Sequence, residues 1–191
     1  MLNYKVLLEG LNSDDPAAQI AAKEKFLEHP RMALPVLVEL MLTQPGRQGW
    51  RAALLVAAMK DASTIPSFVL ALKSPNALIR QTAAQMLGEL GDESIVPHLL
   101  ASLSDDSLGV QMWTIEALGN LHTQQAIQPL CRLITQTDVP EIQHTIIRAF
   151  GRIGDPTVTV YLVPFLNSAN HHVRSRAQDV YRQLSNAPTG N

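Results

Sequence analysis

The sequence has little of several features that mark particular classes of protein. It contains a single cysteine, Cys131, so it forms no internal disulfide, and it has no Asn-x-Ser/Thr sequon. Fifteen basic against 17 acidic residues, with no basic cluster, argue against nucleic-acid binding. The most apolar stretch, 32–42, holds Pro35 and Glu39 and is too short to span a bilayer. With no leader-like N-terminus, we predict a cytoplasmic protein without nucleic-acid partners or membrane insertion.

What the sequence does contain is one pattern written repeatedly. "LGELGDESIVPHLLASL" at 87–103 returns as "LGNLHTQQAIQPLCRLI" at 118–134 and as "FGRIGDPTVTVYLVPFL" at 150–166. Earlier copies are weaker but keep the spacing, with Leu34-Pro35 and Ile65-Pro66 in register with Val96-Pro97. A repeat of about 31 residues is typical of stacked helical units.

The second half of each unit has the periodicity of an amphipathic helix. Five positions in each of four units fall on one stripe of a 3.6-residue helix, and nineteen of the twenty are apolar or Tyr. We predict that this stripe is core: Ile79, Ala83, Met86, Leu87, Leu90; Val110, Thr114, Ala117, Leu118, Leu121; Ile142, Ile146, Ala149, Phe150, Ile153; Val173, Ala177, Val180, Tyr181, Leu184.

The residues between helices match the requirements of helix ends. Gly91 and Gly154 are expected in the left-handed conformation that ends the second helix, and Asp92 and Asp155 as N-caps of the next. Glycines recur inside the second helices at one register, which indicates a close approach of the next repeat: Gly88, Gly119, Gly151.

The predicted fold is therefore all-α, an α-solenoid of about six antiparallel helix pairs of about 31 residues. We expect one domain over 1–186, followed by a flexible tail over 187–191. The units run approximately over 1–28, 29–59, 60–90, 91–121, 122–153 and 154–186.

The stretch "LGELGDESIVPHLLASLSDDSLGVQMWTIEALGNL" resembles the HEAT-like repeat of the phycobilisome (bilin) lyase type. That resemblance extends over 57–184 and implies an armadillo-like helical scaffold. It also implies a bilin, held as a substrate, and a phycobiliprotein or a second HEAT-repeat subunit as partner. The family's Val-Arg step survives at Arg80 and Arg174 but is replaced by Gln111 and Gln143, which predicts a weaker Asp–Arg ladder between neighbouring repeats.

No catalytic constellation stands out, so whether the protein is an enzyme stays open. The six histidines lack the spacing of a metal site, because neighbours such as His171 and His172 diverge by about 100° on a helix. Asp14-Asp15 and Asp105-Asp106 are interpreted as helix caps rather than as a general acid and base. Cys131 is interpreted as a small core residue, with a reactive thiol as the alternative.

The candidate binding surface is the non-core face of the second helices, which in an α-solenoid lines the concave side. Tryptophan, Met and Arg on such a face are typical of interfaces. Trp113 shares its register with Arg51, Thr82, Thr145 and Arg176, so we expect it to face solvent or a ligand. The predicted groove consists of Trp50, Gln81, Gln85, Met112, Trp113, Glu116, His144, Arg148, Arg152 and Asp179.

Two functions remain. The first is a HEAT-repeat adaptor that binds another protein along this groove, with no cofactor and no chemistry of its own. The second, which the resemblance implies, is a subunit of a phycobilin lyase or isomerase, or a phycobilisome assembly or degradation factor. In that case Arg148 and Arg152 are candidates to bind the propionates of an open-chain tetrapyrrole. A helical-repeat DNA-repair enzyme would need a basic groove, which the sequence does not supply.

Overall fold

Twelve α-helices and no strand occur in residues 3–186, which the computed structural model describes. The first helices of the six pairs are α1 Tyr4–Asn12, α3 Pro30–Thr43, α5 Ile65–Ala71, α7 Val96–Ala101, α9 Ile127–Gln136 and α11 Thr159–Leu162. The second helices are α2 Pro16–Glu28, α4 Arg47–Met59, α6 Ala77–Leu90, α8 Leu108–Asn120, α10 Pro140–Ile153 and α12 His171–Ser185. The predicted fold class, an α-solenoid of six helix pairs, is confirmed. The predicted tail, 187–191, lies outside the described residues.

The chain divides into two compact units, Met1–Met86 and Leu87–Asn191. In the first unit α1 packs on α2 and α3 on α4, around a core that includes Phe26, Leu37 and Phe68. In the second unit α10 packs between α8 and α12. The single domain over 1–186 stays a prediction.

The predicted apolar stripe forms the core, but the buried face of the second helices is wider than the stripe. Eighteen of the twenty stripe positions are buried, while Leu90 and Tyr181 are half-buried. Outside the stripe, Ile115 and Ile147 are fully buried as well. A second helix such as α10 touches a helix on each side as well as its own partner α9, so more than one stripe of its surface is covered.

Each of four successive repeats places a left-handed residue at the end of its second helix. Gly91 and Gly154 have φ of +75° and +78°, as predicted. The same conformation is taken by Lys60 and His122, both with φ of +49°, at the equivalent register. A side chain in this conformation costs roughly 1–2 kcal/mol, which glycine avoids. Nδ1 of His122 also forms a hydrogen bond of 2.5 Å with the carbonyl oxygen of Arg152. Since a carbonyl oxygen can only accept, Nδ1 is the donor.

The residue that follows each left-handed position caps the next short 3-10 turn. Its side-chain oxygen accepts a hydrogen bond from the backbone N–H two residues later, which supplies a partner to a free helix-end donor. The predicted caps Asp92 and Asp155 are confirmed, and the same bond occurs at Asp61 and Thr123. Asp15 caps α2 in the same way.

The glycines inside second helices lie where the next repeat comes closest. A Cβ on Gly88 would lie 2.6 Å from both Cα and Cβ of Ala117, and a Cβ on Gly119 would lie 3.0 Å from Cα of Ala149. Both distances are shorter than an ordinary carbon–carbon contact, so the absent side chain is what permits this spacing. The predicted close approach is confirmed.

The weaker Asp–Arg ladder at Gln111 and Gln143 stays a prediction, but the same register also makes a hydrogen bond within its own repeat that does not need an arginine. Arg80 donates to the carbonyl oxygen of Ser74, six residues earlier, at 2.9 Å. The side-chain amides of Gln111 and Gln143 donate to the carbonyl oxygens of Asp105 and Thr137 with the same six-residue separation. The carbonyl requires an N–H donor of suitable reach rather than a positive charge, so glutamine replaces arginine.

Candidate functional site

One carboxylate joins two repeats on the non-core face of the second unit. Oε2 of Glu116 on α8 accepts from Nη2 of Arg148 at 2.6 Å and also from Nη1 of Arg152. The two arginines lie four residues apart on α10 and therefore on one face of it. The side chain of Glu116 is 14 % exposed, whereas those of Arg148 and Arg152 are 38 % and 35 % exposed. Sequence-predicted residues of two helices thus meet in one cluster.

A pocket of about 290 Å³ lies against this cluster. Met112 and Glu116 reach it from α8, and His144 and Arg148 reach it from α10. The remaining lining residues are Pro140, Glu141, Thr145, Asn170 and His172. Four of the ten predicted groove residues therefore line one concavity, which we call the His144 pocket.

Arg148 also lines a second pocket, of about 450 Å³. We call this the arginine pocket, and its lining consists of Arg148, Gly151, Arg152, Arg176, Val180 and Gln183. Three of these six residues are arginines, contributed by α10 and α12, so the pocket presents donors to anions rather than a general apolar surface.

The environment of His144 disfavours the protonated form of its imidazole. Burial lowers the pKa of His144, and the positive charges of Arg176, Arg148 and His172 lower it further. Glu116 acts in the opposite direction but is the weakest of these influences. Three of the charged groups that act on His144 are therefore cationic, although the whole chain carries a net charge of −2.

Trp113 does not stand free on this face as expected. It is half-buried, and two residues at its register, Thr82 and Thr145, are buried at 7 % and 3 % exposure. Their hydroxyls donate to the carbonyl oxygens four residues earlier in their own helices, at 2.8 and 2.7 Å. The threonines therefore did not indicate that this register faces solvent, because a carbonyl of the same helix accepts a hydrogen bond from each buried hydroxyl.

Asp179 is placed apart from the cluster, although its register is that of Arg148. Its side chain is 54 % exposed and pairs at 3.4 Å with Arg182 of the same helix. On the same helix, Gln183 occupies the register of Arg152 and donates to the carbonyl oxygen of Gly151 at 2.8 Å. The acid at the end of the row thus pairs locally rather than across repeats.

The three remaining predicted groove residues belong to the first unit. Trp50 is half-buried and lines a pocket of about 430 Å³ together with Leu11, Gln19, Ile20, Lys23, Arg51, Leu54 and Leu55. Gln81 and Gln85 are half-buried on α6. Three of the ten predicted groove residues therefore belong to the first unit and seven to the second.

Arg176, His172 and Gln183 belong to the site but were not predicted as part of it. Arg176 was recognisable, since it shares a register with Trp113 on the predicted face. Within residues 3–186, its buried Nε has no hydrogen-bond partner. His172 could be found only from the structure, because it lies in the first turn of α12 and reaches the His144 pocket from there.

The other candidate groups behave as structural residues. Cys131 is buried, as predicted, and burial together with the negative charge of Asp155 raises the pKa of its thiol. Across the described residues, no three His, Cys, Asp or Glu side chains come together in a way that could hold a metal ion. None of the helices in that part of the chain is long and apolar enough to cross a membrane.

The chain belongs to the HEAT-repeat family, whose model matches residues 47–111 and 96–182. Over 111 residues it is 28 % identical to the bilin biosynthesis protein PecE of Mastigocladus laminosus, which covers 58 % of this chain. The match spans only 41 % of the length of that relative. The resemblance to the bilin lyase type, noted from the repeat residues, is thereby confirmed.

Solved structures show the same fold. The complex of CpcE and CpcF of phycocyanin lyase from Nostoc sp. PCC7120 matches with a TM-score of 0.62 at 20 % identity, over 94 % of this chain and 76 % of that one. A designed armadillo repeat protein in complex with the peptide (KR)4 matches with a TM-score of 0.66 at 16 % identity, over 93 % and 98 %. The chain therefore has the HEAT-repeat fold, in common with the phycocyanin lyase complex.

Proposed function

We propose that this protein is an adaptor that binds a partner protein through the second-helix face of its last three repeats. The observation that carries the proposal is the His144 pocket, where Met112, Glu116, His144 and Arg148 converge from two helices. A half-buried methionine beside partly exposed arginines has the composition of an interface centre. A phycobiliprotein or a second HEAT-repeat subunit is the proposed partner, because of the similarity to lyase subunits. A cytoplasmic location stays a prediction.

The test compares the recovery of proteins from the native source on immobilised wild type and variants. Met112→Ala and Arg148→Ala should each reduce the recovery of the specific partner, since truncating an interface anchor costs about 2–4 kcal/mol, roughly 30- to 1000-fold in Kd. Both variants should keep the wild-type circular dichroism spectrum, because Glu116 retains Arg152 when Arg148 is truncated.

Gln124→Ala is the matched control, because Gln124 is exposed in a turn before α9 and lines neither pocket of the second unit. It should leave recovery unchanged. If Met112→Ala and Arg148→Ala also leave recovery unchanged while a substitution on α9 abolishes it, the partner lies on the first helices and the proposal is wrong.

A second candidate is an adaptor that also binds an open-chain tetrapyrrole. The similarity to a bilin biosynthesis protein favours it, and Arg148 and Arg152 supply guanidiniums for the propionates. A lyase or isomerase activity is proposed for this chain only together with binding of a tetrapyrrole. Mixing the purified chain with a bilin should then give a red-shifted, structured absorption band that weakens in Arg148→Gln. If no such band appears at excess bilin, this second candidate is wrong and only the protein-binding adaptor remains.

A further inference from the structure

The arginine pocket holds more positive charge than the described residues neutralise. Arg148, Arg152 and Arg176 line it, and within residues 3–186 the carboxylate that pairs with two of them is Glu116, which lines the His144 pocket instead. Among residues 3–186, the buried Nε of Arg176 has no acceptor. In the part of the chain that the structure describes, the α12 side of this cluster therefore presents the guanidinium of Arg176 without a carboxylate partner.

Comparison of successive repeats shows which carboxylate the α12 side of the arginine pocket does not have. Between α8 and α10, Glu116 supplies an acid to the arginines of the next repeat. Two repeats after Glu116, the acid at that register, Asp179, pairs with Arg182 on its own helix. The pocket thus lies beside guanidiniums that already bind one carboxylate in a bridging geometry, and it could place a second carboxylate on their other side.

We propose that the arginine pocket binds the carboxylate side chains of an acidic segment of the partner protein. This inference rests on the proposed function and adds the chemistry of the partner. Guanidinium groups offer paired N–H donors that match a carboxylate, and Gly151 and Val180 leave apolar surface for the methylenes of a Glu side chain. Because the whole chain has a net charge of −2, binding of a polyanion depends on this local cluster rather than on overall charge.

The probe is dye-labelled hexaglutamate, titrated against the full chain at low ionic strength and followed by fluorescence anisotropy, with hexaglutamine as the uncharged control. Wild type should bind hexaglutamate saturably and hexaglutamine not at all. Arg152→Gln and Arg176→Gln should each weaken binding about 10-fold or more, since a charge-assisted bond is lost. Glu116→Gln should tighten binding about 3- to 10-fold, because it frees both arginines of α10.

Arg132→Gln is the charge-matched control, because Arg132 is exposed on α9 and outside the pocket. It should change the affinity less than about 2-fold if the pocket rather than net charge governs binding. His144 provides an independent readout by NMR. It is surrounded by Arg148, Arg176 and His172, with Glu116 as the opposing charge, so a bound carboxylate should raise its pKa.

Absence of saturable binding by wild type, or equal weakening by Arg132→Gln and Arg176→Gln, would overturn the inference. So would displacement of hexaglutamate by inorganic phosphate at a lower concentration than by free glutamate, which would make the pocket a phosphate site. If wild type recovers its partner but does not bind hexaglutamate, the proposed function survives and the proposed binding of carboxylates is wrong. If hexaglutamate binds as expected but Arg148→Ala leaves partner recovery intact, the proposed function fails and the pocket stands.

Discussion

Replacing Gly88 with alanine tests whether the repeats are as closely spaced as the structure shows. In an ordinary helix interior, Gly→Ala stabilises by about 1 kcal/mol through helix propensity. Here the new methyl would lie 2.6 Å from Cα and Cβ of Ala117, so the two helices would have to separate by about 1 Å to reach normal contact. Since Cα of Ala117 is backbone, no side-chain rotation relieves this overlap.

The expected loss follows from the two opposing effects. Overpacking a core typically costs 1–3 kcal/mol, and a clash with backbone belongs at the upper end, so Gly88→Ala should destabilise by about 2 kcal/mol net. Gly151→Ala is the matched comparison, because its methyl would meet Cγ2 of Val180 at 3.0 Å, and that side chain can adjust. It should be neutral or stabilise by up to about 1 kcal/mol.

Urea unfolding measures the difference, together with hydrogen exchange of α8, because a repeat protein need not unfold in one step. Exchange protection should fall first in α8, the helix that faces Gly88. If Gly88→Ala were as stable as Gly151→Ala, the repeats would be more widely spaced than the structure shows, and the steric explanation of the recurring glycine would be wrong.

Four further outcomes are expected. Leu118→Ala should lower the free energy of unfolding by about 2–5 kcal/mol, measured in urea, because the side chain is fully buried. Lys60→Gly should raise the melting temperature, since it relieves a left-handed side chain worth roughly 1 kcal/mol. The hydrogen bonds from Ser94 lower the pKa of Asp92, so the cap stabilises above the unfolded-state pKa and is lost as the pH falls through the lower folded-state pKa. Asp92→Asn should therefore flatten stability against pH below about pH 4 in an acid titration. The lowered pKa of His144 should likewise make stability fall as the pH drops below about 6.5, a slope that His144→Gln removes.

Most of the fold was predictable because each repeat meets the same packing requirement. The stripe that includes Leu87, Leu118 and Phe150 is buried, and Gly91 and Gly154 take the predicted left-handed conformation. What the stripe did not predict was the width of the buried face. Burial of Ile115 depends on neighbouring helices on both sides of α8, and periodicity within one helix contains no information about them.

The bond made by Gln111 is one that reasoning from charge did not predict. Replacement of the repeat's arginine by glutamine was considered only for its effect on an Asp–Arg ladder between neighbouring repeats. The structure also has a carbonyl acceptor six residues earlier, which either side chain can reach. The donor inventory of the side chain would have predicted this bond, since both residues carry N–H groups.

The candidate site was only partly predictable. Glu116 and Arg148 occupy one register of successive repeats, so their pairing follows from the stacking of α8 on α10. Asp179 occupies the same register but pairs with Arg182, because an exposed carboxylate finds a partner one helical turn away on its own helix. The choice between a local partner and a neighbouring repeat depends on side-chain geometry, which register does not specify.

Variation at that register supports binding rather than folding as its role. The stacked second helices need buried residues at the stripe positions, and nineteen of those twenty positions are apolar or Tyr. The register of Glu116 instead changes sign, from Glu116 to Arg148 to Asp179, although the helices there pack in the same way. The same packing forms with Glu, Arg or Asp at this register, so packing does not require this order of charges. An order of charges that folding does not require remains available to distinguish one partner from another.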